Sequence, residues 1–199
     1  MFRFLLIAFL LSVVIAPQAR AQAKAAGEDA GISRQDQQFL NYAAQDNQAE
    51  IQICLLAEKK AQNLAVKAFA RLMVDDHVQV ESQLAAVVNG GGVTVPSGVG
   101  DDGRKTLAQL GPLSGPGFDR QFIADQIKDH SHDVQRYSQE PRATQNQAVR
   151  QFASMTRPIL EQHLQLARAV QDALRSDTGG NVAVTAPGDS APKASIGQQ

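Results

Sequence analysis

The sequence predicts an all-α protein, an antiparallel four-helix bundle in the ferritin-like order, from three observations. Apolar residues recur at alternating steps of three and four through four long segments, most clearly at Val66, Ala70, Met73, Val80, Leu84 and Val87. The chain is rich in Ala, Gln, Leu and Val and contains no Trp, a composition that favours helices over strands. The breaks between the four segments run short, long, short, the connection order of a bundle with one crossover link.

Taken in order, the chain opens with Arg3 as a positive start, an uncharged apolar run from Phe4 to Ala16, and Pro17. Small residues follow at Ala19, Ala21 and Ala23, so residues 1–23 have the pattern of a secretory signal peptide cleaved after Ala21 or Ala23. The run is shorter than the roughly 20 residues that a bilayer span needs. The expectation is an exported protein, periplasmic or secreted, with no stable membrane span after signal cleavage. Residues 24–33 are expected to be a flexible leader, 34–176 the bundle domain, and 177–199 a disordered tail poor in large apolar residues.

The first helix is expected from about Arg34 to Gln62, with Ser33 as N-cap and Asp36 in the first turn. It carries Phe39, Ala43, Glu50, Ile53 and Ala57 on one stripe and Leu40, Asn47, Ile51, Cys54 and Leu55 on a second. The second helix holds the cleanest seam, with His77 between Met73 and Val80, and stops at Asn89-Gly90-Gly91-Gly92. A long crossover then runs from Asn89 to Gly117, with a short helix around Arg104 to Leu110. The third helix, about Phe118 to Glu140, places Ile123, Ile127, His130, Val134 and Tyr137 on one side, and Pro141 helps end it. The fourth, about Gln145 to Arg175, carries Val149, Phe152, Thr156, Ile159, His163, Leu166 and Val170, and Pro158 should kink it.

Charge and cysteine usage narrow the function classes. A formal net charge of −1 and the lack of any basic block exclude the electrostatic footprint of a nucleic-acid binder. The lone Cys54 has no partner for an internal disulfide and reads as a small buried hydrophobe. The sequence shows no catalytic motif and names no protein partner.

Three landmarks occur in order: Met73-Val74-Asp75-Asp76-His77; Gly117-Phe118-Asp119-Arg120-Gln121-Phe122 leading to Asp129-His130; and Pro158-Ile159-Leu160-Glu161-Gln162-His163-Leu164. In these the chain resembles the domain of unknown function 4142 family, exported proteins with a ferritin-like helical bundle, over roughly Asp36 to Leu174. The resemblance implies fold and export but no reaction. Phe122 stands where the family pattern has a tyrosine.

Four polar residues fall on core seams, each on a different helix: Glu50, His77, His130 and His163. A carboxylate in a core must be paired, ligated or protonated, and carboxylate with imidazole suits zinc, copper, iron or manganese. The expected occupant is a transition metal or a small ligand, held in the bundle core by Glu50, His77, His130 and His163. Glu50 and His77 lie equally far from the Gln62-Asn63 turn and should face each other. His130 and His163 are offset from their turn by about 6 residues, or 9 Å of helix rise. Asp76 and Asp129, each directly before a seam histidine, should point to other faces. His132 reads as solvated surface beside Asp125, Asp129 and Arg136.

Two alternatives accompany the metal reading. One is a set of structural core histidines, bonded to Glu50, Thr156, the Ser154 carbonyl or water, in a protein-interaction or stress-associated module. The other is a metal-dependent redox enzyme of ferritin-like descent, against which the lack of any Glu-x-x-His pair stands.

Overall fold

The computed structural model describes residues 30–179, so the expected signal segment, residues 24–29 of the expected leader and residues 180–199 of the expected tail lie outside the described residues. The described residues form five α-helices and no strand: α1 Arg34–Lys60, α2 Leu64–Gly91, α3 Asp101–Leu110, α4 Gly115–Ala143 and α5 Gln147–Gly179. None is long and apolar enough to cross a membrane.

Local chemistry sets the helix ends. Ser33 Oγ accepts from the Asp36 amide at 3.1 Å while Asp36 Oδ2 accepts from the Ser33 amide at 2.8 Å, a reciprocal capping box that starts α1. Asn63 Oδ1 caps α2 by accepting from the amides of Ala65 and Val66. Gly92 ends α2 with a left-handed φ of 63°, a conformation that any Cβ would disfavour. Asn146 Oδ1 accepts from the Val149 amide at the start of α5. Pro141 does not stop α4, which continues to Ala143. Lying in the last turn, it removes only one ladder bond there.

The long helices pair as α1 with α2 and α4 with α5, and α3 packs against α1 and α4. Gly103 permits that packing, because a Cβ there would lie 2.5 Å from Ala49 Cβ. Asp119 of α4 reaches the α1–α2 turn, where its carboxylate accepts from the amides of Gln62 at 3.1 Å and Asn63 at 2.8 Å. The neighbouring Phe118 is fully buried and stacks on Phe122, their ring centroids 6.1 Å apart. Phe122 is also fully buried and fills the core with carbon.

The core has two apolar halves. One gathers Ile53, Ala57, Phe69, Met73, Phe122, Ile123 and Ala167. The other gathers Phe39, Leu40, Val80, Leu84, Tyr137, Phe152 and Leu160. Along each long helix, residues of one half give way to residues of the other across a short polar stretch: Asn47 and Glu50 on α1, His77 on α2, Gln126 to Asp133 on α4, and His163 on α5. A buried polar layer therefore lies between two greasy ends.

Candidate metal centre

His77, His130 and His163 meet in this layer. Each is at most 2% exposed, and one ring nitrogen of each lies within 4.8 Å of one from both of the others. Ring centroids are 5.8 Å apart for His77 and His130, 5.4 Å for His77 and His163, and 5.3 Å for His130 and His163. The expected offset between His130 and His163 shrinks because α4 runs past Pro141, so the turn is centred on Gln145, further along the chain.

In every ring one nitrogen is engaged and the other is not. Nδ1 of His77 is 2.9 Å from Asn47 Oδ1, and the Asn47 amide nitrogen donates to the His77 carbonyl at 3.0 Å, which fixes Asn47 with its oxygen toward the ring. Nδ1 of His130 is 3.1 Å from the Gln126 carbonyl one turn back. Nε2 of His163 is 2.9 Å from Asp76 Oδ2. Each of these partners is an acceptor, so each engaged nitrogen carries the proton and the other presents a lone pair. Those lone pairs belong to His77 Nε2, His130 Nε2 and His163 Nδ1, all buried and without a hydrogen-bond partner.

The electrostatics keep the rings neutral. Burial pushes His77 well below the ordinary imidazole range, with further lowering from His130 and His163. Burial, then the neighbouring His163, brings His130 down to about 3. Burial also lowers His163, opposed by its bond to Asp76. Neutral imidazole is the form that ligates a metal ion.

Glu50 is 2% exposed, but its hydrogen-bond partner differs from the one the register suggests. Asn47, one turn before it, takes the place facing His77, and Glu50 Oε2 instead accepts from Gln126 Nε2 at 2.9 Å and from the Cys54 thiol at 3.8 Å. Cys54 is free and buried, and burial followed by the Glu50 charge raises its thiol well above the usual range. Glu50 forms a second group with Asp129 and His130, ligand atoms again within 4.8 Å of one another. Burial, then the Asp129 charge, pushes Glu50 well above the usual carboxylate range.

Asp76 and Asp129 do not point away from the layer: Asp76 holds His163, and Asp129 faces Glu50. His132 is exposed, with its Nδ1 3.3 Å from the Tyr42 hydroxyl. The residues absent from the sequence reading are Asn47 as a ring holder, Gln126, and the carboxylates Asp46 and Asp133. A usable signal existed in the spacing, since Asp46 with Glu50 and Asp129 with Asp133 are like-charge pairs four apart, an arrangement that is unfavourable on an ordinary solvated face. Thr156 Oγ1 is buried without a partner and bonds none of the histidines.

The family model for a domain of unknown function (DUF4142) matches residues 21–170. Among solved structures, the crystal structure of a DUF305 fragment from Deinococcus radiodurans is similar, with a TM-score of 0.57 at 16% identity, over 75% of this chain and 99% of that one. At that identity the likeness is one of fold. No curated protein matches the chain.

Proposed function

We propose, for this chain that belongs to the DUF4142 family, that it binds a transition-metal ion in its core through His77 Nε2, His130 Nε2 and His163 Nδ1. The observation that carries the reading is that these three buried nitrogens have no hydrogen-bond partner while the opposite nitrogen of each ring is engaged. An unpaired buried polar atom costs about 1–3 kcal/mol. A single ion as common partner accounts for all three at once. The outer partners are a side-chain amide oxygen, a backbone carbonyl and a carboxylate, groups that typically orient metal-bound imidazoles. Three imidazoles suit zinc or copper. Ligand nitrogens around such an ion sit about 3.4 Å apart, so small side-chain movements bring the set to bonding distance.

Glu50 stands beside this set, through Asp129 and His130, rather than within it. The proposal takes the four long helices as an antiparallel, ferritin-like bundle, supported by the contacts Asn47 with His77 and Glu58 with Arg71, in which α1 numbers rise as α2 numbers fall. It also takes the protein as exported, supported by the signal-like start of the chain.

Three nitrogen ligands leave a coordination position open, which favours turnover as a second reading. The test is metal analysis of untagged protein, with zinc and copper titrated against a competing chelator. A stoichiometric ion that is lost in the His77→Ala/His163→Ala double variant is the expected result. Equal metal content in the two proteins would remove the proposal.

A further inference from the structure

We propose that Asp46, Asp129 and Asp133 form a second cation site, sharing no ligand with the three histidines, that takes a hard divalent ion such as Mn²⁺ or Ca²⁺. One carboxylate oxygen from each lies within 4.8 Å of one from both of the others. Asp133 is fully buried, its Oδ1 accepts from the Tyr42 hydroxyl, its carboxyl meets that of Asp46, and its Oδ2 is buried without a donor from any other group. Carboxylates gathered at partly and fully buried positions without a directly paired cation repel each other, and an ion among them turns that repulsion into ligation.

The surrounding cations act on the group from a distance and are not directly paired to it. The Arg136 guanidinium lies over the Tyr42 ring at 3.9 Å from its centroid, and His132 touches the Tyr42 hydroxyl. Lys128 lines the neighbouring cleft. Among the described residues, the ion pairs within 4.0 Å involve none of the three aspartates.

The site has a way in. A cleft of about 460 Å³ between α1, α3 and α4 is lined by Asp46, Glu50 and Asp129, with Asp102 of α3 at its wall. None of the three core histidines lines it. Donor chemistry then separates the two sites, because all-oxygen ligands prefer magnesium, calcium or manganese whereas imidazoles prefer zinc or copper. Glu50, grouped with Asp129 and His130, lies between them.

The test follows free Mn²⁺ by its electron paramagnetic resonance signal as protein is added. Wild type and the His77→Ala/His163→Ala variant should both remove the signal to one ion per chain, and Ca²⁺ should restore it. Asp46→Asn and Asp133→Asn should each weaken Mn²⁺ binding about tenfold or more, since fewer ligand charges weaken a cation site. Thermal unfolding of each variant checks that it folds, and the half-buried Asp46 provides the reading if Asp133→Asn does not. Free Mn²⁺ that is undiminished by wild type, aspartate variants that bind like wild type, or binding lost with the histidines would each overturn the proposal. Failure of zinc or copper to bind the histidines leaves these outcomes unaffected, so the two sites stand or fall separately.

Discussion

At the scale of the residue, the centre depends on which atom each histidine leaves unpaired. Asp76 keeps the proton of His163 on Nε2 and so leaves the lone pair on Nδ1. Asp76→Ala should weaken zinc or copper binding by roughly 10- to 100-fold, measured by chelator competition, with little change in fold. Asp133 supplies a second prediction at this scale, for metal-free protein. Burial, then the Asp129 charge, raises its carboxyl to about 7, so the folded chain takes up a proton where the unfolded chain, at 3.8, does not. Its contribution to stability therefore grows as pH falls from about 7 toward 4. The buried histidines act in the opposite sense: their folded values lie below the ordinary 6.5, and the stability present above that value is lost as pH falls. Asp133→Asn is uncharged throughout, so it should exceed wild type in stability near pH 8. That gap should close by about 1 kcal/mol per pH unit toward pH 5 in chelator-treated urea melts. A gap independent of pH would show that Asp133 does not titrate in this range.

At the scale of the element, the Gly117-Phe118-Asp119 landmark acquires a physical meaning. Phe118 anchors the start of α4 in one apolar half, and Asp119 satisfies two backbone amides of the α1–α2 turn. That contact ties the two helix pairs together at one end. Asp119→Ala removes the acceptor of two part-buried turn amides and should cost about 1.5–3 kcal/mol in denaturant unfolding, because bonds to a charged acceptor are the stronger kind. A cost within a few tenths of a kcal/mol would show that water replaces the carboxylate. Ser33→Ala breaks one half of the α1 capping box and should cost about 1 kcal/mol in the same measurement.

At the scale of the whole molecule, a polar layer between two apolar halves gives up burial of hydrocarbon in the middle of the core. An ion bound only by the folded chain, as proposed, would compensate, since such binding stabilises by RT ln(1 + [L]/Kd), about 2.7 kcal/mol at a free concentration one hundred times Kd. Added zinc or copper should therefore raise the melting temperature of wild type and leave that of His163→Ala unchanged. Equal shifts in both proteins would place the ion elsewhere.

The seams, the glycine stop after α2, the serine cap and the core position of Glu50, His77, His130 and His163 were legible in the sequence by itself, because helical periodicity and capping are local and recur within a few residues. The same periodicity fixes only the direction in which a side chain leaves its own helix. It could not show that Asn47 would take the place opposite His77, that Asp76 would reach across to His163, or that Asp129 would turn toward Glu50. Pro141 misled for a related reason: a local preference to end a helix gave way to continued packing of α4 on α5, and the turn moved with it. Those outcomes depend on the height and rotation of one helix against another, which packing between segments distant in sequence decides. Tertiary structure alone therefore settled which nitrogen of each histidine is left unpaired.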